Sequence, residues 1–167
     1  MAKPLHKRIW EPMINKMQDK IRKWTTRSLN LVARLVLTKA VLQLIPIFRL
    51  STFPAPKGVL QQLRTIQRDF LWGKGEERKK WALVAWEKIC KPKIYDGLGL
   101  DDPEILNRVL GAKLWWQWVK DPKAQWVMIW KEKYGSTWLN NELIRMSGHR
   151  KGSYFWNKAW DNRELVQ

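Results

Sequence analysis

A chain of 167 residues that is 45% hydrophobic and 28% charged has the balance of a folded protein, long enough for one compact domain or two small helical ones, and excludes a disordered tail. Its single cysteine, Cys90, excludes an internal disulfide framework, and with only His6 and His149 beside it no metal site or other cofactor is expected. The formal charge of +17 is uneven: residues 1–93 carry 21 Lys and Arg against 6 Asp and Glu, which points to a polyanionic partner, nucleic acid or anionic membrane.

Trp10, Met13, Met17, Ile21 and Trp24 recur at three- and four-residue spacing, predicting a first helix from Ile9 to Trp24 with Lys16, Lys20, Arg22 and Lys23 on its other face. Capped by Ser28 or Asn30, a second helix is expected from Leu31 to about Leu44. It is apolar almost all round and therefore expected to be central, with Pro46 ending it. The longest apolar stretch, Leu29 to Leu50, is broken by Arg34, Lys39, Pro46 and Arg49, so no membrane span is expected. Pro56 opens a third helix with Val59, Leu60, Leu63, Ile66, Phe70 and Leu71 inward. Residues 76–100 read as an irregular linker, punctuated by Pro92, Gly97 and Gly99. Asp102 and Pro103 form an N-cap and N1 pair for a helix to about Val119. Asp121 and Pro122 repeat the signal for a helix through Trp126, Trp130 and Tyr134, and Ser153 caps a last helix carrying Trp156 and Trp160. The expected fold is mainly α: a basic three-helix unit at 1–75, the linker at 76–100, and a Trp-rich helical unit at 101–167.

Catalytic constellations are sparse. Asp101, Asp102 and Glu104 cluster at a helix start, where the helix dipole accounts for them, and Glu76 and Glu77 read as solvated loop residues. Cys90 has Lys88 and Lys91 nearby but no activating partner in sequence, and neither Gly73-Lys74-Gly75 nor Gly97-Leu98-Gly99 belongs to a phosphate-loop motif. Basic residues interleaved with aromatics remain: Lys and Arg neutralise phosphates, and an exposed Trp stacks on an unpaired base. Most of the thirteen Trp, including Trp10, Trp24, Trp72, Trp115 and Trp130, have core-compatible spacing and are assigned to packing.

The order of short motifs is more specific than any one of them. Trp24, Leu29, Leu31 and Ala33-Arg34-Leu35 are followed by Leu37-Thr38-Lys39-Ala40-Val41-Leu42, Pro46, Phe53-Pro54-Ala55-Pro56 and Phe70-Leu71-Trp72-Gly73. Then come Val84-Ala85-Trp86, Cys90-Lys91-Pro92-Lys93, Gly97-Leu98-Gly99-Leu100, Asn107, Lys113, Trp115-Trp116 and Lys133-Tyr134. Over nearly its whole length the chain resembles the region after the polymerase palm in plant LINE-type (non-LTR) retrotransposon reverse transcriptases. It departs where Val32-Ala33 replaces a small pair that often contains Gly, and where Asp96 replaces the first Gly of the usual GGLG, so helix packing and turn geometry are expected to differ there.

The resemblance implies a thumb-like and linker segment without the polymerase, endonuclease or ribonuclease H catalytic residues, whose helices grip a template-primer duplex. The residues expected to touch nucleic acid are Lys16, Lys20, Lys23, Arg27, Arg34, Arg64, Arg68, Arg78, Lys79 and Lys80, with Arg34 alternatively pairing a buried carboxylate or carbonyl. The leading expectation is a non-catalytic binder of RNA-DNA duplex or RNA. Against it stand a protein-interaction or anionic-membrane-surface module and a vestigial retroelement fragment without selected activity. The basic amphipathic start imitates a mitochondrial presequence, against which Glu11 and Asp19 count, and the compartment stays open between nucleus, cytoplasm and mitochondrion.

Overall fold

The apolar stripe of the first segment winds into α1 (Lys3–Thr25), burying Trp10, Met13, Ile14 and Met17. The computed structural model describes residues 3–25, 29–73, 82–139 and 153–166, and among these the chain is mainly α-helical with no strand. Two units divide it: residues 1–50 with 55–106, and residues 51–54 with 107–167.

In the first unit α4 (Lys57–Trp72) touches α1, α2 (Leu31–Leu37) and the π-helical turn Thr38–Leu42. Val59, Leu60, Leu63, Phe70 and Leu71 fill its inner face, and the Phe70 ring lies 5.5 Å from that of Trp24. Gly73 ends α4 in the left-handed region at φ 66°, its N–H returning to the Asp69 and Phe70 carbonyls. The Arg34 guanidinium occupies the space a Gly73 side chain would need, so conformation and packing both demand glycine here. Two distant motifs, Ala33-Arg34-Leu35 and Phe70-Leu71-Trp72-Gly73, thereby meet.

The second helix differs from expectation. Asn30 caps it by accepting from the Ala33 N–H at 2.8 Å, but Pro46 does not end it. After the π turn the chain enters α3 (Leu44–Thr52), where Pro46 falls in the first turn and its missing N–H is tolerated. The helical run Leu31–Thr52 is thus long and apolar enough to cross a membrane by length and composition, contrary to the sequence expectation, although buried core helices pass the same test. Nor is it central. Arg34, Thr38, Leu42, Pro46 and Leu50 form a buried row, whereas Val32, Val36, Ala40, Leu44 and Phe48 form an exposed one, with Phe48 77% exposed. The wide π turn helps to hold these four-residue rows in line. Thr38 offsets its burial by donating to the Arg34 carbonyl at 2.8 Å, and Gln43 donates to the Asp101 carbonyl at 3.1 Å.

The described part of the expected linker is ordered into α5 (Trp86–Ile89), a 3₁₀ turn (Lys93–Tyr95) and a tight return. Trp86, Ile89 and Leu100 join Leu71 and Trp72 in one apolar cluster, against which Leu35, Cys90 and Leu98 pack.

The second unit contains most of α6 (Pro103–Lys120), together with α7 (Gln125–Leu139) and α8 (Tyr154–Asp161). A turn at Asp121–Ala124 delays α7 to Gln125, later than the Asp121-Pro122 signal implied. Trp118 meets Trp115 and Trp130 edge-on, at centroid distances of 5.0 and 5.9 Å, and Trp126 meets Trp130 at 5.1 Å, around buried Val127. Gly111 lets α6 approach α8, since a side chain there would collide with Asn162. Lys158 is fully buried; its ammonium donates to Asn107 Oδ1 at 3.0 Å and to the Phe53 carbonyl at 3.3 Å.

Candidate nucleic-acid interface

Lys16, Lys20 and Lys23 follow one another at four and three residues along α1, so they share one stripe of the helix, and all three are exposed. Asp19 is engaged with Arg22, three residues on. The stripe is a row of exposed ammonium groups spaced to suit successive phosphates of a backbone.

The arginines proposed with them have other engagements. Arg34 is buried at 6% exposure against Gly73. Arg64 pairs with Asp102 at 2.8 Å and Glu104 at 3.6 Å, and Arg68 lies 3.4 Å from Asp69. Arg27, Arg78, Lys79 and Lys80 lie outside the described residues, as do Glu76 and Glu77.

Asp102 is the polar hub of the first unit. Its Oδ1 accepts the Glu104 N–H at 2.9 Å and its carbonyl accepts the Leu106 N–H at 2.8 Å, the N-cap that the sequence predicts. Its Oδ2 takes both Arg64 and, at 2.9 Å, the Trp86 indole N–H. Burial pushes this carboxyl upward, yet the hydrogen bonds from Arg64, the Glu104 amide and Trp86 outweigh it and hold the pKa below the usual carboxylate value. The hydrogen bond to Asp102 in turn raises the Arg64 pKa.

A basic group not singled out from sequence surrounds the 91–99 return. Leu98 N–H donates to the Ile89 carbonyl, Gly99 N–H to that of Lys91 and Gly97 N–H to that of Pro92, so these amides close the loop on itself and do not cradle a phosphate. Gly97 has no room for a side chain against the Lys91 backbone, and Gly99 is left-handed at φ 62°. Asp96, at φ 57°, keeps the left-handed conformation that glycine favours despite its carboxylate side chain. At bare Gly99, the point where a side chain would begin lies 3.6 Å from Lys39 Nζ and 4.0 Å from Lys93 Cγ. The sequence signal is present in Leu37-Thr38-Lys39 and Cys90-Lys91-Pro92-Lys93; the spatial meeting is not.

Burial pushes the Cys90 thiol up to about 12, far from a neutral-pH thiolate. Among the described residues no three His, Cys, Asp or Glu side chains gather as a metal site would require. Trp10, Trp72, Trp86 and Trp118 are buried in packing, while Trp116 is exposed with the Lys120 ammonium 4.5 Å from its ring centroid.

No protein-family profile matches the chain, and no solved structure does. Two Arabidopsis thaliana proteins are similar to it. The chain is 33% identical over 134 residues to "Putative ribonuclease H protein At1g65750", a match covering 80% of this chain and 22% of that protein, so it spans about a fifth of that relative's length. It is 28% identical over 123 residues to "Uncharacterized mitochondrial protein AtMg00310", covering 73% of this chain and 78% of that protein.

Proposed function

We propose that this chain is a retroelement-derived, non-catalytic module that holds an RNA-DNA duplex or RNA by its sugar-phosphate backbone. The observation that carries the reading is the exposed Lys16, Lys20 and Lys23 row, set in the 93 residues that hold fifteen of the seventeen surplus positive charges. The ribonuclease H name of one relative supports a link to nucleic-acid processing, and the ordered resemblance to LINE-type reverse transcriptases supports a thumb-like origin. Backbone gripping needs cations but no base-reading code, and it requires no general acid, nucleophile or metal of the described residues.

The test is the affinity of the full chain for a mixed-sequence RNA-DNA hybrid as a function of salt. Affinity is expected to fall linearly on a log-log plot, and replacing Lys16, Lys20 and Lys23 together by Ala lowers the slope by about three, roughly one per phosphate contact, equally for unrelated sequences. Absence of binding near 50 mM salt, or salt-independent affinity, overturns the proposal.

A second reading, an interaction module for a protein or an anionic membrane surface, has the exposed row Val32, Val36, Ala40, Leu44 and Phe48 in its favour. In its membrane form, anionic vesicles displace the hybrid and Phe48→Asp abolishes vesicle binding while leaving hybrid affinity intact.

A further inference from the structure

We infer that Lys39 and Lys93 form a second phosphate clamp over Gly99, taking a phosphate of the nucleic-acid strand; this rests on the nucleic-acid reading of the chain. The two lysines come from separate parts of the chain, the π turn and the turn after α5, and meet over the same glycine. Lys39 is half-buried, and among the described residues neither its ammonium nor that of Lys93 has an ion-pair or hydrogen-bond partner. A half-buried ammonium without an acceptor among the described residues leaves donors unused, and the Lys93 chain passes the same glycine by its Cγ, so its ammonium can reach an anion held by Lys39. An anion there gives both ammonium groups an acceptor.

The surroundings narrow the ligand. Gly99 has no side chain, which leaves the ground between the lysines open, and its left-handed φ of 62° keeps other residues from being accepted there without strain. The loop amides of Gly97, Leu98 and Gly99 are spent on Pro92, Ile89 and Lys91 carbonyls. Recognition therefore falls to ammonium charge and not to a backbone cradle, which suits a phosphodiester met along a strand better than a nucleotide enclosed in a loop. Lys91, exposed on the same loop, adds to the field.

Hybrid binding of the full chain is measured against salt for Lys39→Gln, for Lys93→Gln and for both together, beside the Lys16, Lys20 and Lys23 triple Ala variant. Each single change is expected to lower the salt slope by about one, with Lys39→Arg restoring it. Lys93 is exposed, so its variant keeps the test decisive even where Lys39→Gln disturbs folding. Unchanged slopes for Lys93→Gln and the double variant, with a reduced slope for the triple variant, overturn the clamp and leave the wider reading standing. No binding by the wild-type chain overturns both. The Gly99 and Lys93 amide resonances identify the source of the phosphate. A shift on hybrid addition supports the clamp, whereas a shift with inorganic phosphate or with phosphatidylserine vesicles but none with the hybrid overturns the strand as its ligand.

Discussion

Asp102 in the first unit and Lys158 in the second are both withdrawn from solvent, but among the described residues only Asp102 meets an opposite charge. Asp102 joins a helix start, a tryptophan and an arginine through one carboxylate. Lys158 joins α6, α8 and the Phe53 backbone through neutral oxygens alone among its described hydrogen bonds. Burial is the whole cause of its lowered pKa, about 7 in place of 10.5. The basic unit thus turns on an acid paired with a base, and the Trp-rich unit holds a base that meets neutral oxygens among the described residues. The two units are therefore expected to respond oppositely to removal of the buried group, and to gain stability with rising pH in different ranges, the acid range for Asp102 and about pH 7 to 10.5 for Lys158.

The largest effect is expected at Asp102. Asp102→Ala removes the cap of α6 and leaves Arg64 and the Trp86 N–H without their acceptor, costing the first unit about 3–5 kcal/mol in urea unfolding. Because the folded pKa lies below the unfolded one, the stabilisation is present above the unfolded carboxylate value and is lost as pH falls through the folded one. Equal acid sensitivity of wild type and Asp102→Ala would break the assignment of this hub.

Lys158→Met tests the other half of the comparison. The unfolded chain binds the lysine proton up to about 10.5 and the folded one only up to about 7, so stability rises with pH across that interval. At pH 6 the methionine variant is expected to be more stable than wild type by about 1–4 kcal/mol, the range for replacing a buried charge by an apolar group. Its stability is also expected to change less between pH 7 and 10. Urea midpoints for both proteins at pH 6, 8 and 10 measure this, and a wild-type profile that does not rise sinks it.

Local signals make much of this legible. The period of α1, the Asp102-Pro103 start of α6 and the packing role of most tryptophans all come from spacing and capping chemistry. The covered side of the helical run Leu31–Thr52 is not legible, because composition alone does not say which side is inward: the inward row includes Arg34 and Thr38, and the outward row is apolar. Pro46 misleads for a related reason, since a preceding π turn lets a proline fall where its absent N–H is tolerated. Of the interface, the α1 lysine row is readable as one helical face. Lys39 and Lys93 approaching the same Gly99, and Arg64 committed to Asp102, join residues 54 and 38 positions apart, which no periodicity encodes.

The smallest effect asks whether the first unit's stability is concentrated at Asp102 or shared with the loop that leads to α6. Asp96 is left-handed at φ 57°, where an L-residue other than Gly, Asn or Asp is strained by about 1–2 kcal/mol. Aspartate tolerates this region better than most, and glycine adds roughly 0.5–1 kcal/mol of unfolded-chain entropy that opposes its conformational advantage. Asp96→Gly is therefore expected to stabilise the protein only slightly, by about 0.5 kcal/mol, whereas Asp96→Ala destabilises it. Thermal melts of the two variants against wild type read the difference in sign. If glycine is destabilising as well, the Asp96 carboxylate itself supports the turn, and the loop joins Asp102 as a second acidic anchor of the basic unit.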